Sequence, residues 1–239
     1  MPLFLLTFIT IVFLCLNTSR AQELEPKKPD AVVLVHGLGR GPLSMLRMEK
    51  HLRSQGYETL SVSYPSRKKP IEELLTDLET QVSERFPDKN RTIHFVTHSL
   101  GGILVRMYVP KNTERDVGRV VMLAPPNQGS DLPDTFKGIG LYRWITGPAG
   151  LQLGTDDNSV PNILGPADFE CGIIAGGRTL NPLYSAFIEG KDDGKVSVEQ
   201  TQLDGMQDFV TVKSSHTWIM NRKFVLSYTS RFIETGCFD

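Results

Sequence analysis

Apolar runs alternate with amphipathic segments over residues 31–126. Four runs rich in β-branched residues predict buried strands, at Ala31–Val35, Tyr57–Tyr64, Ile93–Thr97 and Arg119–Leu123. Between these runs, apolar residues recur at helical spacing over 42–55, 70–86 and 99–109. Strands and helices that alternate at such short spacing predict a mostly parallel central sheet with helices on both faces, which is the α/β class.

The pattern changes at Asn127. Residues 127–165 are rich in Gly, Pro and Asp and hold only short apolar pieces. They predict an irregular, lid-like insert, with a surface excursion packed by its own aromatic residues as the alternative. Further strands are predicted at Cys171–Ala175 and Phe209–Val212, and a closing helix at Trp218–Ile233. Residues 31–239 are therefore expected to form a single α/β domain that carries this insert.

The N-terminal residues have the pattern of a targeting segment. Met1–Leu16 is almost entirely apolar, and Ser19-Arg20-Ala21 has the small-x-small form of a signal-peptidase site. This pattern predicts a signal peptide over residues 1–21, and therefore export to the periplasm or out of the cell. No Lys or Arg precedes the apolar run, so an uncleaved N-terminal membrane anchor is the alternative. A charged, proline-containing linker is expected over 22–30.

Charge and cysteine content narrow the choice of partners. The chain of 239 residues has 26 basic and 27 acidic side chains, so no basic face for nucleic acid is expected. Loss of a signal peptide would leave two cysteines, Cys171 and Cys237. An even pair in an exported protein predicts one disulfide between them, with two unpaired thiols as the alternative.

Residues 97–102 read Thr-His-Ser-Leu-Gly-Gly and stand between a predicted strand and a predicted helix. A serine on such a tight turn is forced out of the backbone, where its hydroxyl can act as a nucleophile. Gly101 meets the need for a small residue two positions after Ser99, while Thr97 stands where the G-x-S-x-G pattern has its first glycine. The alternative is that Ser99 only caps an ordinary helix.

Backbone amides near the predicted nucleophile could stabilise an oxyanion. Residues 36–39, His-Gly-Leu-Gly, follow the first predicted strand, and their glycines allow the loop to bend inward. Acyl transfer needs two N–H donors aimed at the developing negative charge. The amides of Leu38 and Leu100 are predicted to supply them.

The best candidate for the general base is His216, in Ser-Ser-His-Thr between the last strand and the last helix. A loop at the carboxyl end of a parallel strand opens on the same edge as the serine turn. His98 neighbours Ser99 in the chain, and a strand-to-helix turn is expected to point its side chain elsewhere.

The acid that orients this histidine is expected between Ser99 and His216. The turn Asp-Asp-Gly at 192–194 offers Asp193, which we prefer to Asp192 because it directly precedes the glycine. Its carboxylate would hold the histidine tautomer and stabilise the imidazolium. Asp204 and Asp208 are weaker alternatives because they lie closer to the final strand.

These motifs together resemble the α/β-hydrolase superfamily, and more narrowly the bacterial lipase-like serine esterases of the triacylglycerol-lipase or class 2 lipase type. The resemblance covers nearly all of the chain after Pro29. It rests on His36-Gly37, the 97–102 turn, Ala-Pro-Pro-Asn-Gln-Gly at 124–129, the D-G-x-V-x-V segment and the late Ser-His-Thr. It implies an α/β-hydrolase fold, a lid after residue 127 and a catalytic role for Asp193.

The expected function is that of an exported serine hydrolase that cleaves carboxylic esters of lipid-like or other apolar acyl groups through an acyl-enzyme. Its partners would be small-molecule or lipid esters and a membrane surface. No metal or organic cofactor is expected, since no cluster with metal-ligand spacing occurs in the sequence. An acyltransferase with the same triad, or a non-catalytic binding protein of this fold, are the alternatives.

Overall fold

The computed structural model describes residues 27–180 and 182–239. Its centre is a six-stranded sheet in the order β2-β1-β3-β4-β5-β6, in which every neighbouring pair is parallel. The fold class predicted from the sequence is thereby confirmed. The strands are β1 Ala31–Val35, β2 Glu58–Ser61, β3 Ile93–His98, β4 Val117–Leu123, β5 Cys171–Gly176 and β6 Asp208–Val212.

Eight α-helices and two 3-10 turns are described around the sheet. The segments predicted as one helix over 42–55 and over 218–233 each begin with a 3-10 turn, at Pro42–Met45 and Ile219–Asn221. The α-helices are α1 Leu46–Ser54, α2 Ile71–Arg85, α3 Leu100–Lys111, α4 Asp131–Phe136, α5 Gly140–Leu151, α6 Val160–Ile163, α7 Pro182–Ser185 and α8 Lys223–Thr235.

The sheet separates two apolar cores because successive side chains of a strand point to opposite faces. Val33 and Val35 of β1 pack with α2 and α3 on one face. Val32 and Leu34 pack with α1 and α8 on the other. Every residue of β1 and β3 is buried, which explains why these strands are continuous apolar runs rather than alternating ones.

The segment after β4 is more regular than its composition indicates. Three helices, α4, α5 and α6, lie within the predicted irregular insert. Ser130 caps α4 by accepting a hydrogen bond from the amide of Leu132. Gly147 interrupts α5 with a φ of 67°, and Pro148 follows it. Because Gly and Pro usually end helices, their presence here made the sequence predict an irregular segment.

The insert is fastened at both ends to α3 by the buried guanidinium of Arg106. Its Nη1 donates to the carbonyl of Asn127 at 2.9 Å, and its Nη2 donates to those of Pro161 at 2.9 Å and Gly165 at 2.7 Å. Burial lowers the pKa of Arg106 to about 10, which still leaves the group charged at neutral pH. The base of the insert is therefore held by charge-assisted hydrogen bonds.

The predicted disulfide between Cys171 and Cys237 is wrong, because both thiols are free. Cys171 opens β5 and points into the core that contains α2 and α3. The next residue, Gly172, faces the ring of Phe232 on α8, so α8 lies on the opposite face of the sheet. Cys237 follows α8 and is exposed, hence the sheet separates the two sulfur atoms.

The predicted signal peptide or anchor, residues 1–21, lies outside the described residues, as does most of the 22–30 linker. In the ranges 27–180 and 182–239, no helix is long and apolar enough to cross a membrane.

The two thiols should differ sharply in reactivity. Burial raises the pKa of the Cys171 thiol to about 11, whereas Cys237 is exposed. In folded, unreduced protein we expect iodoacetamide to alkylate Cys237 within minutes and Cys171 only after denaturation. Peptide mass spectrometry measures both. A peptide pair that stays linked through residues 171 and 237 without reductant would contradict the structure.

Candidate active site

Ser99 stands on a sharp turn between β3 and α3. Its φ of 53° and ψ of −121° lie in a region that residues with a side chain rarely adopt. The Ser99 amide donates to the carbonyl of Leu123 at 2.9 Å, which ties the turn to the end of β4. A Cβ atom at Gly101 would lie 2.4 Å from the carbonyl oxygen of Val35, so only glycine allows α3 to approach β1 this closely.

Thr97 occupies the position at which the common serine-turn pattern has glycine. Its side chain is buried, on the same face of β3 as α3. A Cβ atom at Gly102 would lie 3.4 Å from the Thr97 hydroxyl oxygen. The threonine side chain therefore lies close to Gly102, the second glycine after the serine.

The structure brings the three predicted triad residues together. His216 Nε2 lies 3.0 Å from Ser99 Oγ, and His216 Nδ1 lies 2.8 Å from Asp193 Oδ2. All three residues are buried. Their hydrogen bonds form one continuous chain from hydroxyl through imidazole to carboxylate, which is the arrangement that activates a serine hydroxyl.

The adjacent aspartates have different surroundings. Asp193 Oδ1 accepts hydrogen bonds from the amides of Lys195 at 3.0 Å and Val196 at 2.9 Å, which orient its other oxygen toward His216. Asp192 instead accepts from the amide of Gly194 at 2.6 Å and from the hydroxyl of Ser185. Asp193 is therefore the carboxylate in contact with the histidine, and Asp192 holds the turn.

The loop after β1 reaches the serine, as predicted. A Cβ atom at Gly37 would lie 3.1 Å from Ser99 Cβ. Among the described residues, the amides of Leu38 and Leu100 have no acceptor, so both remain available to an oxyanion.

Two residues after β2 hold this loop, and sequence reasoning missed them. Ser66 Oγ accepts from the amide of Gly39 at 3.0 Å. Tyr64 donates its hydroxyl hydrogen to the carbonyl of His36 and stacks on the His36 ring at 4.0 Å. The position of Tyr64 and Ser66 directly after a parallel strand is the signal that could have found them.

The His98 side chain lies against the backbone of His216 rather than against the Ser99 hydroxyl. Its Nε2 lies 3.0 Å from the carbonyl oxygen of His216, and the two rings are 4.9 Å apart. Burial, together with repulsion from a protonated His216, holds the pKa of His98 well below its usual range. A neutral His98 with its proton on Nε2 donates to that carbonyl and supports the loop that carries His216.

A cavity of about 160 Å³ opens at Ser99 and His216. Its wall is mostly apolar, and two cationic side chains, Arg40 and Lys195, also line it. Arg40 is half-buried and Lys195 is exposed to solvent. Arg40 repels the lysine charge, and Asp193 attracts it. Over the described residues, no group of three or more His, Cys, Asp or Glu side chains could hold a metal ion. The apolar wall consists of Leu38, Pro126, Leu132, Pro133, Ile145, Leu153 and Val196.

The model of the Alpha/beta hydrolase family matches residues 32–211 of this chain. That match includes the serine turn and the predicted acid and ends before His216. No curated protein sequence matches significantly.

Solved structures resemble the fold at low sequence identity. The mature form of Bacillus licheniformis lipase BlEst2 has a TM-score of 0.68 and 20% identity, over 90% of this chain and 94% of that one. The propeptide form has a TM-score of 0.67 at 20% identity over 82% of this chain, which spans only 48% of that longer chain. The metagenomic carboxyl esterase MGS0156 has a TM-score of 0.65 and 21% identity, over 82% and 67% of the two chains. At these identities the likeness concerns the fold.

Substitutions at the two glycines that follow the serine should have unequal effects. Gly101→Ala would push a methyl group into the backbone of β1, so we expect a loss of about 3 kcal/mol in the free energy of unfolding. Gly102→Ala meets the Pro125 side chain at 3.0 Å and should cost about 1 kcal/mol. Urea denaturation of both variants measures the difference. Equal urea midpoints for the two variants would show that the contact between α3 and β1 does not exclude a side chain at Gly101.

Proposed function

Because this chain belongs to the alpha/beta hydrolase family, we propose that it is a serine hydrolase that cleaves carboxylic esters of lipid-like or other apolar acyl groups. The observation that carries the proposal is the buried hydrogen-bonded chain from Ser99 through His216 to Asp193. An apolar cavity at the serine hydroxyl supports it, since such a cavity suits an acyl group.

In the proposed reaction, Ser99 Oγ attacks the ester carbonyl while His216 Nε2 takes the hydroxyl proton. Asp193 keeps the other imidazole nitrogen protonated and stabilises the imidazolium. The amides of Leu38 and Leu100 bind the oxyanion of the tetrahedral intermediate. His216 then returns the proton to the leaving alcohol oxygen, and a water molecule hydrolyses the acyl-enzyme by the same route.

The size of the cavity favours short acyl groups. Its volume of about 160 Å³ is close to that of a cavity that holds one benzene molecule. An acyl chain of about four carbons fits such a space, whereas a long fatty acyl chain would have to extend past the helical insert. We therefore expect butyrate esters to be turned over faster than palmitate esters.

An apolar surface beside the cavity suits contact with aggregated lipid. Trp144 on α5 is 79% exposed and Leu183 on α7 is 77% exposed. Phe136 links the two helices, because its ring contacts both Tyr142 and Tyr184. Both of these tyrosines line the cavity, so a lipid surface seated here would face the opening. Export, which the apolar run at residues 1–16 suggests, would bring the protein to extracytoplasmic lipid.

The triad assignment is tested with 4-nitrophenyl butyrate. We expect Ser99→Ala and Asp193→Asn each to lower kcat/KM by about a thousandfold or more, because nucleophile and imidazole orientation are lost. Asp192→Asn is the matched control. It keeps the shape of a residue that contacts Gly194 and Ser185, so its kcat/KM should stay within about tenfold of wild type.

Three results would contradict either the triad assignment or the proposed reaction. A larger effect at Asp192 than at Asp193 would move the acid by one residue. Absence of turnover on every ester, together with absence of Ser99 labelling by a fluorophosphonate, would make the protein non-catalytic. Transfer of the butyryl group to an added alcohol in preference to water would make it an acyltransferase.

The proposed lipid contact is tested with the double variant Trp144→Ser/Leu183→Ser. We expect it to lower hydrolysis of emulsified tributyrin at least about fivefold, since apolar burial drives interfacial binding. Hydrolysis of soluble 4-nitrophenyl butyrate should change less than twofold. Phe224→Ser removes an exposed aromatic side chain from α8 and serves as the control. Equal losses on both substrates would contradict a surface role.

A further inference from the structure

The cavity at Ser99 has an uneven distribution of charge. Arg40 and Lys195 line it, and no carboxylate does, within the part of the chain that the structure describes. In the same described residues, no Asp or Glu lies within ion-pair distance of either cation. Asp193 attracts the Lys195 charge but is itself hydrogen-bonded to His216. Two positive groups that form no ion pair among the described residues are an unusual lining for a site that takes a simple apolar ester.

Both cations belong to the side of the cavity that carries His216. Arg40 Nη2 donates to the carbonyl of Thr217 at 3.3 Å, directly after the histidine. The amide of Lys195 donates to the Asp193 carboxylate at 3.0 Å, so this lysine follows the acid turn. The charges of Arg40 and Lys195 also both disfavour protonation of His98, which lowers its pKa. Both cations therefore line the cavity together with His98 and His216.

The helical insert supplies most of the remaining wall, which is mostly apolar and also contains Ser130, Tyr142 and Thr146. Leu132 and Pro133 of α4 and Ile145 of α5 line the cavity. In acyl transfer, the general base returns its proton to the leaving alcohol oxygen, so that oxygen must lie against His216 Nε2. Groups beside the histidine then contact the alcohol part of the ester. The apolar wall is left for the acyl part.

We propose that Arg40 and Lys195 form a subsite for a phosphate group carried by the alcohol part of the substrate. The inference deepens the proposed function and rests on it. A phosphate carries up to two negative charges, which an arginine and a lysine together neutralise, the arginine by paired hydrogen bonds and the lysine as a point charge. The substrate class is an acylated, phosphorylated alcohol.

The chemistry of the step remains ester hydrolysis. The bond between the acyl carbon and the alcohol oxygen breaks, and one water molecule is consumed. The products are a carboxylic acid and the phosphorylated alcohol, and the phosphate ester bond stays intact. The two cations bind and select the substrate, whereas proton transfer stays with His216.

The matched substrates are 1-butyrylglycerol 3-phosphate and 1-butyrylglycerol, which differ only in the phosphate. The measured quantity is the ratio of their kcat/KM values. We expect Arg40→Gln and Lys195→Gln each to lower this ratio about fivefold, and the double variant to lower it further. Arg40→Lys, which keeps the charge, should retain most of the ratio. Arg47→Gln and Lys50→Gln remove exposed charges from α1 and should leave it unchanged.

A second measurement separates binding from turnover. In the Ser99→Ala background, calorimetry with 1-butyrylglycerol 3-phosphate should give binding that weakens about fivefold with each neutralised cation and weakens as salt rises. If the Ser99→Ala variant shows this binding but the wild type hydrolyses no ester, the proposed function would be overturned and the phosphate subsite would stand. An unchanged ratio in the double variant, with esters still hydrolysed, would overturn the subsite alone.

Vesicles distinguish a soluble phosphate ester from a lipid headgroup. If the subsite also accepts lipid, the double variant should lose hydrolysis of phosphatidylglycerol vesicles in parallel with the soluble phosphate ester. The double variant could instead lose hydrolysis of vesicles while its kcat/KM ratio for the two soluble esters stays unchanged. The two cations would then contact the bilayer surface. That result would overturn the assignment of a phosphate subsite inside the cavity.

Discussion

The close contact between α3 and β1 is the constraint on which the site depends. A carbonyl oxygen of β1 occupies the space in which a side chain at Gly101 would stand. With the helix pressed against the sheet, the chain between β3 and α3 has room only for a sharp turn, so Ser99 takes a positive φ and presents its hydroxyl. The same approach puts the loop at Gly37 beside the serine. The position of the Ser99 hydroxyl and that of the loop at Gly37 thus both depend on a single packing contact.

The parallel sheet explains why distant parts of the sequence meet at this serine. The carboxyl ends of all six strands lie at one edge, and every group of the candidate site follows a strand there. Asp193 comes after β5 and His216 after β6, while the loop at Leu38 comes after β1. Strand pairing therefore determines which loops are neighbours, and hydrogen bonds within each loop determine only the final side-chain directions.

A local motif and chain order were sufficient to select Ser99 and His216, which the structure brings within hydrogen-bond distance of each other. The serine turn is local, and the histidine follows the last strand. The contact of His98 with the His216 backbone was missed because that carbonyl is 118 residues away, and no local pattern encodes it. The disulfide was wrong for a related reason. An even number of cysteines in a chain expected to be exported carries no information on position, and strand alternation directs Cys171 to the sheet face opposite α8.

The helical insert is connected to the turn that carries Lys195. Arg106 fastens both ends of the insert to α3. The hydroxyl of Ser130, at the start of α4, donates to the carbonyl of Lys195 at 2.8 Å. A shift of α4 that widened the apolar side would therefore pull on the turn between Asp193 and Val196, which also orients the acid. The helical wall of the cavity, Lys195 and the carboxylate that contacts His216 are therefore all connected to this one turn.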